Sequence, residues 1–196
     1  MRIFKRDIHN PEELVSDSQT ALQYLKDGNQ RYLDNQTIER NSNAKDRDVL
    51  KDGQQPFAVI VTCADSRVSP EIYFDQKLGD VFIIRNAGNI ADETTLGSIE
   101  YAVMHLGTPL VVVVGHSNCG AVAAAFKCGE NPCNLQSIIN KISYNIEDSD
   151  DLEGGIRANI DSTVETIKDD IAIKETGATV IGAYYDIESG KVSWIQ

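Results

Sequence analysis

Two short stretches of this chain carry side chains that can do chemistry, and both begin where an apolar run stops. Phe57-Ala58-Val59-Ile60-Val61-Thr62 holds no charge and is followed by Cys63, Asp65 and Arg67: a thiol, a carboxylate and a guanidinium at alternate positions. In extended backbone these three groups point to one side. Leu110 to Val114 is a second such run, and it leads into Gly115-His116-Ser117-Asn118-Cys119-Gly120. His-x-x-Cys is a metal-ligand spacing, because two intervening residues let one turn of chain bring an imidazole and a thiolate onto one ion. With Cys63 the chain offers three soft or borderline ligands from two strand ends. Three protein ligands with a fourth position open is the pattern of a catalytic zinc, whereas four mark a structural one. The expected cofactor is Zn2+.

The elements that must position these groups can be read from the same pattern. Both apolar runs are too short for helices and too apolar to be half exposed, which suits central strands of a parallel sheet, buried on both faces. In such sheets ligands bind outside the carboxyl ends of the strands, where Cys63 and His116 fall. Helices are expected over residues 11 to 34, with Pro11 in the first turn and Gly28 as an interruption, and from Ser69-Pro70-Glu71 to Gly79. Others are expected over Thr94 to Leu106, Gly120 to Lys127, Leu135 to Ile146 and Ile156 to Ile173. Further strands are Val81 to Ile84, Ala178 to Tyr184 and, after a turn at Asp186 to Gly190, Lys191 to Ile195. Residues 35 to 52 read as a loop or short irregular helix, and the acidic run Glu147 to Glu153 as a solvated loop. The sum is an α/β fold: a mainly parallel central sheet flanked by helices, with an N-terminal helical arm and an antiparallel edge strand.

Length and charge narrow the function. A chain of 196 residues is expected to form a single domain, 1–52 being the arm and loop and 53–196 the zinc-binding core. With 18 basic against 30 acidic side chains the net charge is −12, and without a basic run neither nucleic acid nor an anionic membrane is an expected partner. No apolar stretch nears the roughly 20 residues that span a bilayer, and Met1 to Asn10 lacks the apolar segment of a signal peptide, so a cytoplasmic location is expected. In that setting the four cysteines stay reduced. Cys128 and Cys133, on a turn-like segment, read as unpaired bystanders.

Cys63-Ala64-Asp65-Ser66-Arg67, Arg85-Asn86-Ala87-Gly88-Asn89, Gly97-Ser98-Ile99-Glu100-Tyr101-Ala102 and Gly115-His116-Ser117-Asn118-Cys119-Gly120 occur in one order at compatible spacing. Together they resemble the β-class carbonic anhydrases, over a span from about Leu25 to Asp186. The resemblance implies zinc held by Cys63, His116 and Cys119, with carbon dioxide and bicarbonate as substrates. It also implies a homodimer or homotetramer whose N-terminal helices wrap the neighbour. By the same resemblance Asp65 and Arg67 are the catalytic pair, with Asp65 a fourth ligand only in a closed state. Gln54 matches a glutamine that orients substrate, and Phe82, Ala87, Tyr101 and Gly120 match positions lining a narrow cleft. Members regulated by bicarbonate at a second site carry a tryptophan where this chain has Ile60, which argues against that regulation.

Plainer readings stand beside these. Asp65 and Arg67 could be an ion pair fixing a loop, His116 a buried structural histidine, and Tyr101 a core residue of its helix. His9 and His105 are not expected to be ligands. Rival functions are a related hydrolase of carbon disulfide or carbonyl sulfide, and a non-catalytic zinc-binding regulatory protein. The absence of Cys-x-x-Cys disfavours a redox dithiol.

Overall fold

The computed structural model describes residues 15, 17–38, 44–127 and 131–195, residue 45 by its backbone only. Five strands, β1 (Ala58–Cys63), β2 (Val81–Asn86), β3 (Leu110–His116), β4 (Thr179–Tyr185) and β5 (Val192–Ile195), form one sheet in the order β2-β1-β3-β4-β5. The first four run parallel and β5 is antiparallel on β4, as the alternation of strands and helices predicts. β1 and β3, the uninterrupted apolar runs, are buried along their whole length. β2, at the sheet edge, is only half-buried.

Period-two alternation divides the side chains between two cores. Val59, Val61 and Cys63 of β1 with Val111 and Val113 of β3 face α4 (Glu93–His105), α5 (Gly120–Ala125), α6 (Cys133–Asn145), α7 (Leu152–Asp169) and α8 (Ile171–Thr176). Ala58 and Ile60 with Leu110, Val112 and Val114 face α1 (Ser18–Leu33) and α3 (Pro70–Tyr73). Ala21 and Leu25 of α1 pack into that second core, so the arm from residue 18 onward covers its own sheet. Gly28 does not interrupt α1. It is the point where the helix crosses the backbone of Phe74, whose carbonyl a Cβ would strike.

Several boundaries differ from the sequence reading for local reasons. The start expected at Pro11 lies outside the described residues; the helix is capped instead at Asp17, whose carboxylate accepts from Thr20 N at 2.8 Å. A short helix, α2 (Ala44–Leu50), occupies part of the expected loop. α3 ends at Tyr73, well short of Gly79, because Asp75 adopts a left-handed φ of 50°. There the buried Asp75 carboxylate takes Arg31 Nε at 2.6 Å, pinning α1 to the turn. α7 begins four residues before Ile156, since Asp151, within the acidic run, caps Gly154 N at 2.7 Å. The same chemistry at Asp170, accepting from Ile173 N at 3.0 Å, divides the expected long helix into α7 and α8.

Candidate metal centre

The parallel register sets the ends of β1 and β3 side by side, and both ligand-bearing loops leave from there. Cys63 is the last residue of β1 and His116 the last of β3; Ser117 and Asn118 turn the chain, Asn118 at a left-handed φ of 55°, and Cys119 caps α5. The three side chains are buried, and their candidate ligand atoms all lie within 4.8 Å of one another. The cluster contains the ligand set expected from the sequence and no other histidine, cysteine or carboxylate among the described residues. The His105 ring lies 5.5 Å from that of Tyr101, tilted by 43°, and His9 lies outside the described residues.

The imidazole supplies the sharpest test of whether this set fits zinc. Its Nδ1 lies 2.9 Å from the Ser117 carbonyl, which can only accept, so Nδ1 carries the proton and Nε2 a lone pair. Nε2 is fully buried and has no hydrogen-bond partner among the described residues. Leaving such an atom unanswered costs about 1–3 kcal/mol. A cation shared with the two sulfurs removes that cost, and zinc accepts this mixed nitrogen and sulfur set.

The thiols point the same way. By themselves they divide one proton: hydrogen bonding from Cys119 lowers the Cys63 thiol, while the bond to Cys63 and then burial push Cys119 up. Two sulfurs competing for one proton are the groups a dication would deprotonate together. The backbone N–H of Gly88 donates to Cys63 Sγ at 3.4 Å, a further anchor for a thiolate.

Asp65 and Arg67 come together, though not by strand alternation. β1 ends at Cys63, and Asp65 to Val68 form a turn closed by Val68 N donating to Asp65 O at 3.0 Å. Within it Asp65 Oδ1 accepts from Arg67 N and Nε, each at 2.9 Å, and Oδ2 accepts from Arg67 Nη2 at 2.7 Å. This bidentate fork holds the carboxylate outside the ligand cluster. It also keeps the Asp65 carboxyl well below its ordinary range, so the group stays ionised. A carboxyl depressed in this way stabilises the fold above its ordinary value of 3.8 and loses that contribution only as pH falls below it. Arg67 Nη2 also reaches Asn118 O at 3.3 Å, tying the two ligand loops together.

Ala87 and Gly120 adjoin Gly88 and Cys119 at this end, and Gly120 faces open space. Gln54, Phe82 and Tyr101 do not join them. Gln54 is exposed before the start of β1. Phe82 pairs with Val59, four residues and roughly 13 Å of strand from Cys63. Tyr101, its ring 6.3 Å from that of Phe82, is 48% exposed and therefore no core residue. Arg85 belongs to the site although sequence reasoning gave it no part: it donates to Cys63 O at 3.1 Å and Asp65 O at 2.7 Å, fixing the turn. The only signal for it was its place at the head of the Arg85-Asn86-Ala87-Gly88-Asn89 stretch, at the end of β2. Of the two remaining cysteines, Cys133 is free and exposed, and Cys128 lies outside the described residues.

The family model described as carbonic anhydrase matches residues 58–192, most of the chain and every group in the metal cluster. The chain belongs to the carbonic anhydrase family. Among curated relatives, a carbonic anhydrase of Mycolicibacterium smegmatis is 44% identical over 130 residues, 64% of this chain and 63% of that protein. Carbonic anhydrase 2 of Mycobacterium tuberculosis is 51% identical over 105 residues, 54% of this chain and 51% of that one. The matched segments thus span about half to just under two thirds of those relatives. The fold resembles a tetrameric β-carbonic anhydrase of the ascomycete Sordaria macrospora, with 27% identity, a TM-score of 0.70 and coverage of 90% of this chain and 97% of that one. No helix among the described residues is long and apolar enough to cross a membrane.

Proposed function

We propose that the chain is a zinc-dependent carbonic anhydrase that interconverts carbon dioxide and bicarbonate as a homodimer or homotetramer. The observation carrying the reading is the buried, unanswered Nε2 of His116 converging with two thiols beside the carboxylate gripped by Arg67. Cys63 Sγ, His116 Nε2 and Cys119 Sγ would hold the metal. When bound, zinc supplies the Lewis acidity that makes water a nucleophile near neutral pH.

The other side chains prepare the geometry for attack. Each carboxylate oxygen offers about two acceptor sites. Arg67 and its backbone N–H fill both on Asp65 Oδ1 and one on Oδ2. The site left on Oδ2 can accept the O–H of the attacking species and turn its lone pair toward carbon dioxide. Arg67 keeps that acceptor in place, and a lysine could not, because an ammonium has no fork. Gln54 and Tyr101 are exposed and Phe82 lies four residues along the strand from the level of Cys63, an arrangement in keeping with a cleft that a second copy completes. A cytosolic setting fits, since Cys63 and Cys119 must stay reduced to bind metal.

Stopped-flow hydration of carbon dioxide by protein of measured zinc content tests the proposal. Two thiolates offset the charge of the dication, so turnover should rise between about pH 6 and 9 as the nucleophile forms. A flat profile contradicts that account, and a folded, zinc-loaded protein without turnover overturns the enzymatic reading.

A further inference from the structure

A polar side chain on the apolar stripe of α7 is out of keeping with its neighbours. Asn159 sits among Gly155, Ile156, Ile160, Thr163, Val164 and Ile167 and is 1% exposed. A buried amide is costly unless both its ends are answered. Both are. Its Nδ2 donates to the Gly88 carbonyl at 2.8 Å, and its Oδ1 accepts from Asn145 Nδ2 at 2.8 Å. Asn145 Oδ1 in turn accepts from Ser162 Oγ at 2.8 Å. The direction of this chain is forced from one end: a carbonyl can only accept, so Asn159 must present its NH2 to Gly88 and its oxygen to Asn145.

Gly88 is where the chain meets the metal centre. Its own N–H is the group that donates to Cys63 Sγ at 3.4 Å. With φ at 79°, and with Ile142 Cδ1 2.5 Å and Ala121 Cβ 3.3 Å from where a Cβ would stand, the position favours glycine and packs closely on α5 and α6. One peptide unit flanking the Gly88 Cα is therefore fixed by Asn159, and the other carries the N–H that meets the sulfur. Asn86, whose side chain bonds Ile90 N, Ile90 O and Thr95 Oγ1, closes the base of this loop but does not reach Gly88.

We propose that Asn159, steadied by Asn145 and Ser162, is a positioning residue for the metal centre: by holding the Gly88 carbonyl it keeps the Gly88 N–H on the Cys63 sulfur and so sets how tightly the site retains zinc. The proposal rests on the zinc reading above. An N–H bonded to a ligating sulfur orients it and draws charge from it, so losing that bond alters both affinity and the electronic character of the metal.

The test uses the full chain. Asn159→Leu keeps approximate volume and removes both amide ends. Zinc affinity, measured by chelator competition, should fall about 10- to 100-fold, and the sulfur-to-cobalt charge-transfer band of the cobalt(II)-loaded protein should shift. Thr163→Val, one turn further along α7 at a hydroxyl without a partner among the described residues, should leave both readouts at wild-type values. A folded Asn159→Leu protein with unchanged zinc affinity and an unchanged cobalt band overturns the proposal. Should that variant not fold, Asn145→Ala, at a half-buried helix end, should weaken zinc in the same direction; unchanged affinity there overturns it equally. A wild-type chain that takes up no zinc refutes the metal reading itself, and this proposal with it.

Discussion

The two ends of the central strands are finished to very different degrees. At the carboxyl end Cys63, His116 and Cys119 are 4%, 0% and 1% exposed, and Gly88, Arg67 and Arg85 of the same chain hold the loops around them. At the other end Phe82 is half-buried on an edge strand, and on α4 Tyr101 and Met104 are 48% and 55% exposed, one turn apart. β2 pairs only with β1 among the described residues, so the backbone groups on its other side are unanswered by the sheet. One end is complete within the chain, and the other has the apolar, unpaired character of a surface that another molecule covers. Metal binding should thus be a property of one chain, whereas rate should depend on its neighbour.

The largest effect breaks the finished end. His116→Ala removes the buried lone pair between two sulfurs and leaves a void in a closed site. Zinc content measured by atomic absorption should drop to background, with hydration lost; full zinc occupancy would show that Nε2 is no ligand. Next in size is Arg67→Ala, which leaves all three ligands in place and frees Asp65. Turnover should fall about 10²-fold or more at unchanged zinc content. An active, zinc-loaded variant would reduce the pair to a loop-fixing ion bridge.

The same contrast explains what the sequence could disclose. The two central strands and the Cys63, His116 and Cys119 grouping were legible because buried strands leave unbroken apolar runs, and because His-x-x-Cys encodes its geometry locally. Asp65 and Arg67 were found through alternate spacing, yet the structure joins them by a turn; neighbours in sequence meet by either route. Gly28 misled, because its reason is the passing Phe74 backbone, which no local pattern records. Asn159 lies 71 positions from Gly88, and Arg85 acts through backbone carbonyls that any residue could supply. Such partners are fixed by tertiary approach, so periodicity carries no trace of them. Gln54, Phe82 and Tyr101 entered through resemblance alone, because nothing in their local pattern encodes a cleft.

The smallest effect, and the one that sharpens the comparison most, comes from Phe82→Lys at the unfinished end. Phe82 contributes to the packing under β2 but lies far from the ligands, so the zinc content of the variant should match wild type. In a two-fold interface the substitution introduces one new charge from each copy, and like charges brought together cost several kcal/mol. Sedimentation should therefore show a smaller assembly, and turnover should fall about tenfold or more as the cleft loses its far wall. The two readouts must move together, since the wall is attributed to the neighbour. A monomeric, zinc-loaded Phe82→Lys chain with wild-type kcat/KM would mean that the carboxyl end suffices for catalysis, and that the exposed face of β2 and α4 serves some other contact.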